Sequence, residues 1–249
     1  GFLVDNVDFS GAATIATMMD VEQVEVLRGP QGTRYGANAL AGLINVKTHD
    51  PEDQFAASLK LGAADYNTNT VAAMITGPVA ETVSARLALE RHRSDGYYEN
   101  DYLQTDRNNA QDELSIRGKL SAEMSSSWKL DLTMSHVDVD NGYDAFTLDN
   151  SRTTLSDEPG RDQQESLALA IDSSWHFDVK FIASLADSDM EYSYDEDWTF
   201  AGIHPYGYMS RDGYVRDRET RSLELRLLSN DSSRLFSDST QWLFCVYTL

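Results

Sequence analysis

The stretch VEVLRGPQGTRYGANALAGLINVKT, from Val24 to Thr48, decides how the fold of this chain is interpreted. Two runs of apolar and β-branched residues, typical of strands, flank a segment that holds Gly29, Gly32 and Gly36, and Gly42 opens the second run. Glycine adopts positive φ without steric cost and lets another backbone approach closely. The pattern predicts a tight, irregular loop between two short strands.

A phosphate-binding loop is the alternative interpretation of these glycines. The spacing is G-x-x-G-x-x-x-G, which matches neither the lysine-containing P-loop nor the G-x-G-x-x-G dinucleotide fingerprint. The sequence therefore disfavours nucleotide binding.

The composition excludes several other classes of protein. The 249-residue chain has a net charge of −21, which disfavours binding to a nucleic-acid backbone. Its one cysteine, Cys245, allows neither an internal disulfide nor a cysteine metal cluster. The opening residues GFLVDNVDF do not resemble a signal peptide, and no run of about 18 apolar residues predicts a membrane helix.

Alternation of apolar and polar residues dominates the rest of the chain. From Leu114 to Met124 the even positions are apolar or glycine, and the odd positions are polar. A period of two marks a strand with one apolar and one polar face. The same alternation recurs around Leu59, Leu87, Leu130, Leu167, Phe181 and Leu223.

Nine candidate strands follow one another between about residues 55 and 249. Many are long, about ten residues or more, against ~5–6 in an ordinary sheet. About eleven residues, tilted by ~45°, cross ~25 Å, the height of an outer-membrane apolar band. A soluble sandwich also alternates, but its strands are normally shorter.

The predicted connections differ between the two ends of these strands. The short ones lie near residues 66–69, 78–82, 125–127, 173–174 and 229–238, and the long ones cover about 94–112, 140–163 and 194–218. After the first connection, at residues 66–69, short and long connections alternate along the chain. Short turns on one rim and long loops on the other are typical of transmembrane β-barrels.

The glycine-rich stretch closely resembles the end of the plug domain of TonB-dependent outer-membrane receptors, where the run is close to ERIEVLRGPxSxLYGxxAxGGxINIxT. The matching positions are Val24, Glu25, Val26, Arg28, Gly29, Pro30, Tyr35, Gly36, Ala39, Gly42, Ile44, Asn45 and Thr48. Arg34, in place of an apolar residue, and Ala41, in place of glycine, are mild departures. The segment RHRSDGYYENDY also resembles the family's third barrel strand as it enters an outer loop.

The resemblance implies a mainly β fold in two parts. Residues 1–52 are expected to form the C-terminal part of an α+β plug domain, and residues 53–249 the N-terminal part of a transmembrane antiparallel β-barrel. About nine strands of about 22 would be present, so the chain is expected to be a piece of a protein ~2.5–3 times longer. The signal peptide, the first half of the plug and the TonB box would lie outside it.

The resemblance also implies which residues hold the plug inside the barrel. Glycine turns would let the plug backbone pack closely in the lumen, and Arg28 would pair with barrel carboxylates on strands outside this chain. A surface arginine is the alternative for Arg28. The expected plug–barrel packing residues are Glu25, Arg28, Gly29, Pro30, Gly32, Tyr35, Gly36, Gly42 and Asn45.

The implied function is TonB-dependent active import of a scarce nutrient across the bacterial outer membrane. A ferric siderophore is the favoured cargo, and cobalamin, haem, a nickel chelate or an oligosaccharide are alternatives. The implied partners are TonB, outer-membrane lipid and lipopolysaccharide, and a small-molecule or metal-chelate ligand. Neither a cofactor nor a nucleic acid is expected.

Two other functional classes remain as alternatives. An enzyme is disfavoured because neither G-x-S-x-G nor H-E-x-x-H occurs, and His92, His136 and His176 fall on different predicted strands. A passive porin or an adhesin barrel would have no plug, so the glycine-rich stretch argues against both.

Two acidic segments suggest metal sites. DSDMEYSYDED, from Asp187 to Asp197, could attract cations, but a solvated loop is the favoured interpretation. DVDNGYD, from Asp138 to Asp144, departs from the EF-hand spacing and lacks its distal glutamate, so it is expected to be a loop.

Overall fold

The computed structural model describes residues 1–11, 18–32, 39–143, 146–175, 179–229, 234–237 and 239–248. Fifteen strands are present in these residues, and thirteen of them form two sheets. Within the same ranges, no helix combines the length and the apolar character that crossing a bilayer requires.

The small sheet has four strands in the order β2-β1-β4-β3. They are β1 (Phe2–Val4), β2 (Val7–Asp8), β3 (Val21–Arg28) and β4 (Gly42–Thr48). β1 runs parallel to β4, and β3 pairs with β4 antiparallel. Asp5 and Asn6 turn the chain between β1 and β2 with φ of 46° and 69°, which short polar residues tolerate. β3 and β4 are the two strands predicted on either side of the glycine segment.

The large sheet has nine antiparallel strands, which confirms the predicted number. They are β5 (Ala56–Ala64), β6 (Thr68–Ala80), β7 (Val83–Ser94), β9 (Gln111–Ser125), β10 (Trp128–Gly142), β12 (Arg161–Trp175), β13 (Val179–Asp195), β14 (Arg211–Leu228) and β15 (Leu243–Thr248). Each pairs with the next in this order. Among the described residues, β5 and β15 each have one neighbour, so the sheet is open at both edges.

The large sheet buries its polar face and exposes its apolar face. On β9, Ser115, Arg117 and Lys119 are only 5%, 5% and 7% exposed, whereas Leu120 is 43% and Met124 53% exposed. A strand in contact with lipid needs this arrangement. The structure thus confirms the predicted fold class, a mainly β chain that contains an unclosed part of a barrel wall.

Several strands extend further than the alternation predicted. β12 continues to Trp175, so the short connection expected at Ser173–Ser174 is wrong, because these serines pair with Leu130 and Lys129 of β10. β14 has 18 residues and spans ~59 Å, more than the apolar core of a bilayer requires. β13 and β14 therefore form a hairpin stem beyond the apolar band, which shortens the long loop expected at about 194–218 to residues 196–210.

The long connections on one rim pack together into an outer loop cluster, formed by the described parts of residues 95–110, 143–160 and 196–210. Two short parallel strands, β8 (Glu99–Asn100) and β11 (Thr153–Thr154), join the first two connections. The ring of Tyr102 stacks on Phe200 with centroids 4.6 Å apart, which joins the first to the third. The side of the molecule that carries this cluster is called the upper side below.

Candidate functional site

The small sheet lies on the polar face of the large sheet. Val4, Val7, Phe9 and Val46 form one buried apolar cluster with Ala168, Ala170 and Ala186 of β12 and β13. The wall residues in this cluster are all alanines, which let the small sheet approach closely. The rest of the contact is made by charged groups.

Asp5 is the centre of the first charged contact. Lys119 Nζ donates to Asp5 Oδ1 at 3.2 Å and to the carbonyl oxygen of Thr48 at 3.1 Å, and Arg117 Nε lies 3.7 Å from Asp5 Oδ2. The Thr48 amide and hydroxyl donate to the same carboxylate at 3.0 and 2.6 Å. All three charged side chains are at most 8% exposed. Asp5 therefore joins the β1–β2 turn to both β4 and the large sheet.

Asp20 forms the second charged contact, with Arg86 of β7. Arg86 donates through Nε and Nη2 to the two oxygens of Asp20 at 2.7 and 2.6 Å, in the bidentate geometry that favours arginine–carboxylate pairs. Its Nη1 donates to Glu52 at 3.2 Å. The Arg86 side chain is 4% exposed and that of Asp20 11% exposed. This pair attaches the residue before β3 to the wall.

A more exposed group of charges borders these contacts. Lys47 Nζ lies 2.8 Å from Glu22 and 3.1 Å from Asp50, and the hydrogen bond that Lys47 donates to Glu22 contributes most to raising the pKa of Lys47. Burial alone would raise the pKa of Asp50, but the charges of Lys119 and Lys47 outweigh it and lower this pKa. The charges on this side of the small sheet are therefore mutually stabilising.

The sequence-predicted packing residues occupy varied positions. Glu25 accepts a hydrogen bond from Asn45 Nδ2 at 3.0 Å, and these two residues face each other on β3 and β4. The Arg28 side chain is exposed at the end of β3. Among the described residues it forms neither a hydrogen bond nor a salt bridge. Pro30 is exposed. Tyr35 and Gly36 lie outside the described residues.

The described glycines of this set differ in what they require. Gly29 has a φ of +82°, which favours glycine. A Cβ on Gly42 would lie 2.9 Å from the carbonyl oxygen of Leu27, so the close pairing of β3 and β4 excludes a side chain there. A Cβ added to Gly32 would have no atom within 4 Å among those described. Within the small sheet, close backbone approach therefore requires glycine at Gly42, and the role of these glycines in plug–barrel packing stays a prediction.

Sequence reasoning missed Asp5, Asp20, Arg86, Arg117 and Lys119. The last three lie on the polar parity of membrane-crossing strands, where a charge needs a partner. That position is the signal that could have identified them. Nothing comparable marks Asp5 and Asp20, because aspartates are common in turns.

The polar face continues above the small sheet with aromatic and basic side chains. The ring of Tyr192 lies 4.6 Å from that of Tyr143 and 5.5 Å from that of Tyr214. The Arg216 guanidinium lies 5.3 Å from the Tyr214 ring, within cation–π range, and donates to the carbonyl oxygen of Gly11 at 3.2 Å. Tyrosine and arginine at such a surface can bind an anionic or aromatic ligand.

A cavity of about 200 Å³ lies on the same face, between β7 and β12. Met18, from the loop before β3, lines it from the side of the small sheet. The large sheet contributes Glu90, His92, Glu113, Ser115, Val139, Asn141, Asp162 and Gln164.

The solvated loop favoured for Asp187–Asp197 is wrong over most of its length, because residues 187–195 belong to β13 and pair with β14. At its end, two aspartates hold the start of the following connection. Asp195 Oδ1 accepts the amides of Asp197 and Trp198 at 3.0 and 3.1 Å, and Asp197 Oδ2 accepts that of Ser210 at 2.7 Å. In the described ranges, no three His, Cys, Asp or Glu side chains are arranged to hold a metal ion.

The loop expected at Asp138–Asp144 is wrong over most of its length. Residues 138–142 belong to β10, because β12 continues the ladder opposite them. Asp144 lies outside the described residues.

Comparison with known proteins shows which family part of this chain resembles. Residues 1–43 match the family model described as TonB-dependent Receptor Plug Domain. The chain is 25% identical over 190 residues to the ferric enterobactin receptor PirA of Pseudomonas aeruginosa, which covers 68% of this chain and 26% of that receptor. It is 24% identical over 147 residues to the vitamin B12 transporter BtuB of Vibrio vulnificus. This match covers 57% of this chain and 24% of that transporter.

The fold is shared with a solved receptor. The ferric yersiniabactin uptake receptor FyuA from Yersinia pestis aligns with a TM-score of 0.79 at 21% identity, over 99% of this chain and 38% of that one. The chain spans about a quarter of the length of the two curated relatives above.

Proposed function

We propose that this chain, a stretch of a TonB-dependent receptor, takes part in the active import of a ferric siderophore across the bacterial outer membrane. One observation carries the proposal: a small sheet is attached by buried ion pairs to the polar face of strands whose other face is apolar and exposed. Within a complete barrel, that polar face would be the lumen and the small sheet its plug. The names of the PirA and FyuA relatives support an iron chelate as the cargo.

The chain belongs in the bacterial outer membrane, and its exposed apolar face is the proposed contact with lipid and lipopolysaccharide. Import against a gradient needs energy, and the proposed source is TonB, which would act on the plug from the periplasmic side. The segment Val24–Thr48 is proposed to hold plug and barrel together, with Glu25, Arg28 and Asn45 among the contributing residues. Arg28 would complete its pairing with barrel carboxylates elsewhere in the receptor.

The ligand surface is proposed to be the upper part of the polar face. Tyr143, Tyr192, Tyr214 and Arg216 lie there, and Arg216 contacts Gly11 in the connection between β2 and β3. A ligand bound at this place would touch both wall and plug, so its arrival could be sensed by the plug.

Cobalamin is the second candidate cargo, because a vitamin B12 transporter is among the relatives. The family consists of transport receptors, not enzymes, and a passive pore would have no use for an attached plug.

Uptake of radioactive iron tests the proposed function. A complete receptor carrying this sequence would be expressed in cells that lack their own ferric-siderophore receptors, with and without TonB. We expect uptake of at least one chelate from a panel of catecholate, hydroxamate and mixed ferric siderophores, and only in cells that contain TonB. Uptake without TonB would contradict the proposal, as would uptake of cobalamin but of no iron chelate.

A further inference from the structure

The upper part of the polar face has a charge gradient along the sheet. Strand pairing places His92, Glu113, Val139, Gln164, Met190 and Arg216 in one row from β7 to β14. The row below it contains Glu90, Ser115, Val137, Ser166, Ser188 and Arg218. In both rows a carboxylate stands on β7 or β9 and an arginine on β14.

The acidic end has no salt-bridge partner among the described residues. Glu113 accepts a hydrogen bond from the neutral Asn141 amide at 2.8 Å. Within the described ranges, neither Glu113 nor Glu90 forms a salt bridge, although both line the cavity beside Met18. The buried aspartates of the plug contact, by contrast, are each paired with a wall cation.

The basic end lies against Gly11, in the connection between β2 and β3. Arg216 donates to the Gly11 carbonyl oxygen, and Arg218 Nη1 lies 3.0 Å from where a Cβ on Gly11 would stand. Arg218 Nε donates to the Thr220 hydroxyl at 3.2 Å. These contacts use neutral acceptors, so both arginines keep their positive charge available to an anion.

The two ends cannot neutralise each other. A buried apolar cluster of Val137, Val139 and Met190, at 6–8% exposure, stands between them. From β9 to β14 there are four strand-to-strand steps, about 19 Å along the sheet. The wall therefore holds opposite charges apart, in the region where ligand would meet the plug.

We propose that the ligand is a dipolar ferric chelate, with a cationic amine that binds Glu90 and Glu113 and an anionic part that binds Arg216 and Arg218. This inference rests on the import function proposed above and defines the charge distribution of its substrate. A chelate with only anionic groups would bring its negative charge next to these carboxylates, and contact between like charges disfavours binding.

Binding of paired synthetic chelates tests the assignment. The probes are a ferric tris-catecholate and a ferric hydroxamate–carboxylate, each with a free primary amine and as its N-acetyl derivative. Dissociation constants would be measured on the complete receptor in outer-membrane vesicles. We expect wild type to bind at least one amine form about ten-fold or more tightly than its acetylated form, since acetylation removes a charge-assisted hydrogen bond.

Charge variants then locate the two ends. The Glu90→Gln/Glu113→Gln receptor should lose the amine preference to within about two-fold. The control variant Glu165→Gln, on the exposed face of β12, should keep the preference for the amine form. Arg216→Gln/Arg218→Gln should weaken both forms by the same factor and keep their ratio.

Equal affinity of wild type for the amine and acetylated forms would overturn the inference. So would a preference that survives in the double glutamine variant, or unchanged affinity after loss of both arginines. If wild type imports an iron chelate but shows no amine preference, only the charge assignment fails. If it neither binds nor imports any chelate, the proposed function fails with it.

Discussion

At the residue scale, Arg86 joins parts of the chain that are 66 positions apart by donating to Asp20. The Arg86 side chain is buried and that of Asp20 is only 11% exposed, so removing one partner leaves the other charged and poorly compensated. The plug contact therefore depends on the pairing of charges as well as on apolar contact.

Arg86→Gln should release the plug without unfolding the wall. The expected loss is ~3–5 kcal/mol for the attachment of β1–β4, because Asp20 stays buried without its partner. Hydrogen exchange of the β4 amides in the complete receptor should then accelerate by roughly 100- to 5,000-fold, because each ~1.4 kcal/mol is a factor of ten, while β10 and β12 keep their protection.

Arg93→Gln is the matched control. Arg93 pairs with Asp112 at 3.0 Å, but its side chain is 57% exposed. Exposed pairs contribute ~0–1 kcal/mol, so β4 exchange should barely change. Equal acceleration in the two variants would show that the Arg86–Asp20 pair does not hold the plug.

The sequence predicted less at this scale than at any other. A cation of the plug, Arg28, was expected to pair with barrel carboxylates, whereas the described contacts pair plug carboxylates with the barrel cations Arg86, Arg117 and Lys119. Periodicity places a side chain on a face of a strand, but its partner depends on tertiary packing. The expectation for Arg28 stays a prediction.

At the element scale, the alternation within each strand determines which side chains face lipid. On β14, Leu223 is 50% exposed, and Ser222 is 6% exposed with its hydroxyl 2.6 Å from that of Ser184. These neighbours therefore lie on opposite faces of the wall.

Single cysteines at these two positions should label oppositely in a receptor that also carries Cys245→Ser. Leu223→Cys should react with a lipid-soluble maleimide. Ser222→Cys should react only with a water-soluble maleimide, and only after urea has unfolded the plug. Reaction of both cysteines with the same reagent would contradict the assignment of faces.

The outer loop cluster depends on Asn100, which is 1% exposed. Its amide donates to Asn108 Oδ1 at 2.9 Å and to the Ser156 carbonyl oxygen at 2.8 Å, so it joins two connections. Asn100→Ala would remove both of these buried hydrogen bonds, at a cost of ~1–3 kcal/mol each.

Limited proteolysis of intact cells should therefore cut the cluster faster in Asn100→Ala than in wild type. Asp106→Ala, an exposed change in the same connection, should leave the rate unchanged. If both variants are cut at the wild-type rate, Asn100 does not hold the loops together.

The strands could be predicted because an alternation with period two is a local property of the sequence. The residues at which the strands end could not be predicted in the same way. β12 and β14 run past the expected boundaries because neighbouring strands continue to offer backbone partners. Serines and charged residues at those positions have turn-like composition, but cross-strand pairing outweighs that preference.

At the scale of the whole molecule, the two sheets form one object: a wall with an apolar outer face and a plug on its polar face. The resemblance of the glycine-rich stretch implied this fold class, a part of a plug followed by part of a barrel. It did not predict how the plug is attached, because Asp5, Asp20 and their partners come together only in the folded chain.

The most direct test of the plug assignment is the conductance of the complete receptor in a planar bilayer. We expect no conductance for wild type, reversible opening when urea unfolds the plug, and opening at lower urea in Asp5→Asn/Asp20→Asn, because the cations that hold the plug lose their partners. Glu165→Gln should open at the wild-type urea concentration. Steady conductance of wild type without urea, or an Asp5→Asn/Asp20→Asn receptor that opens at the wild-type concentration, would contradict the account.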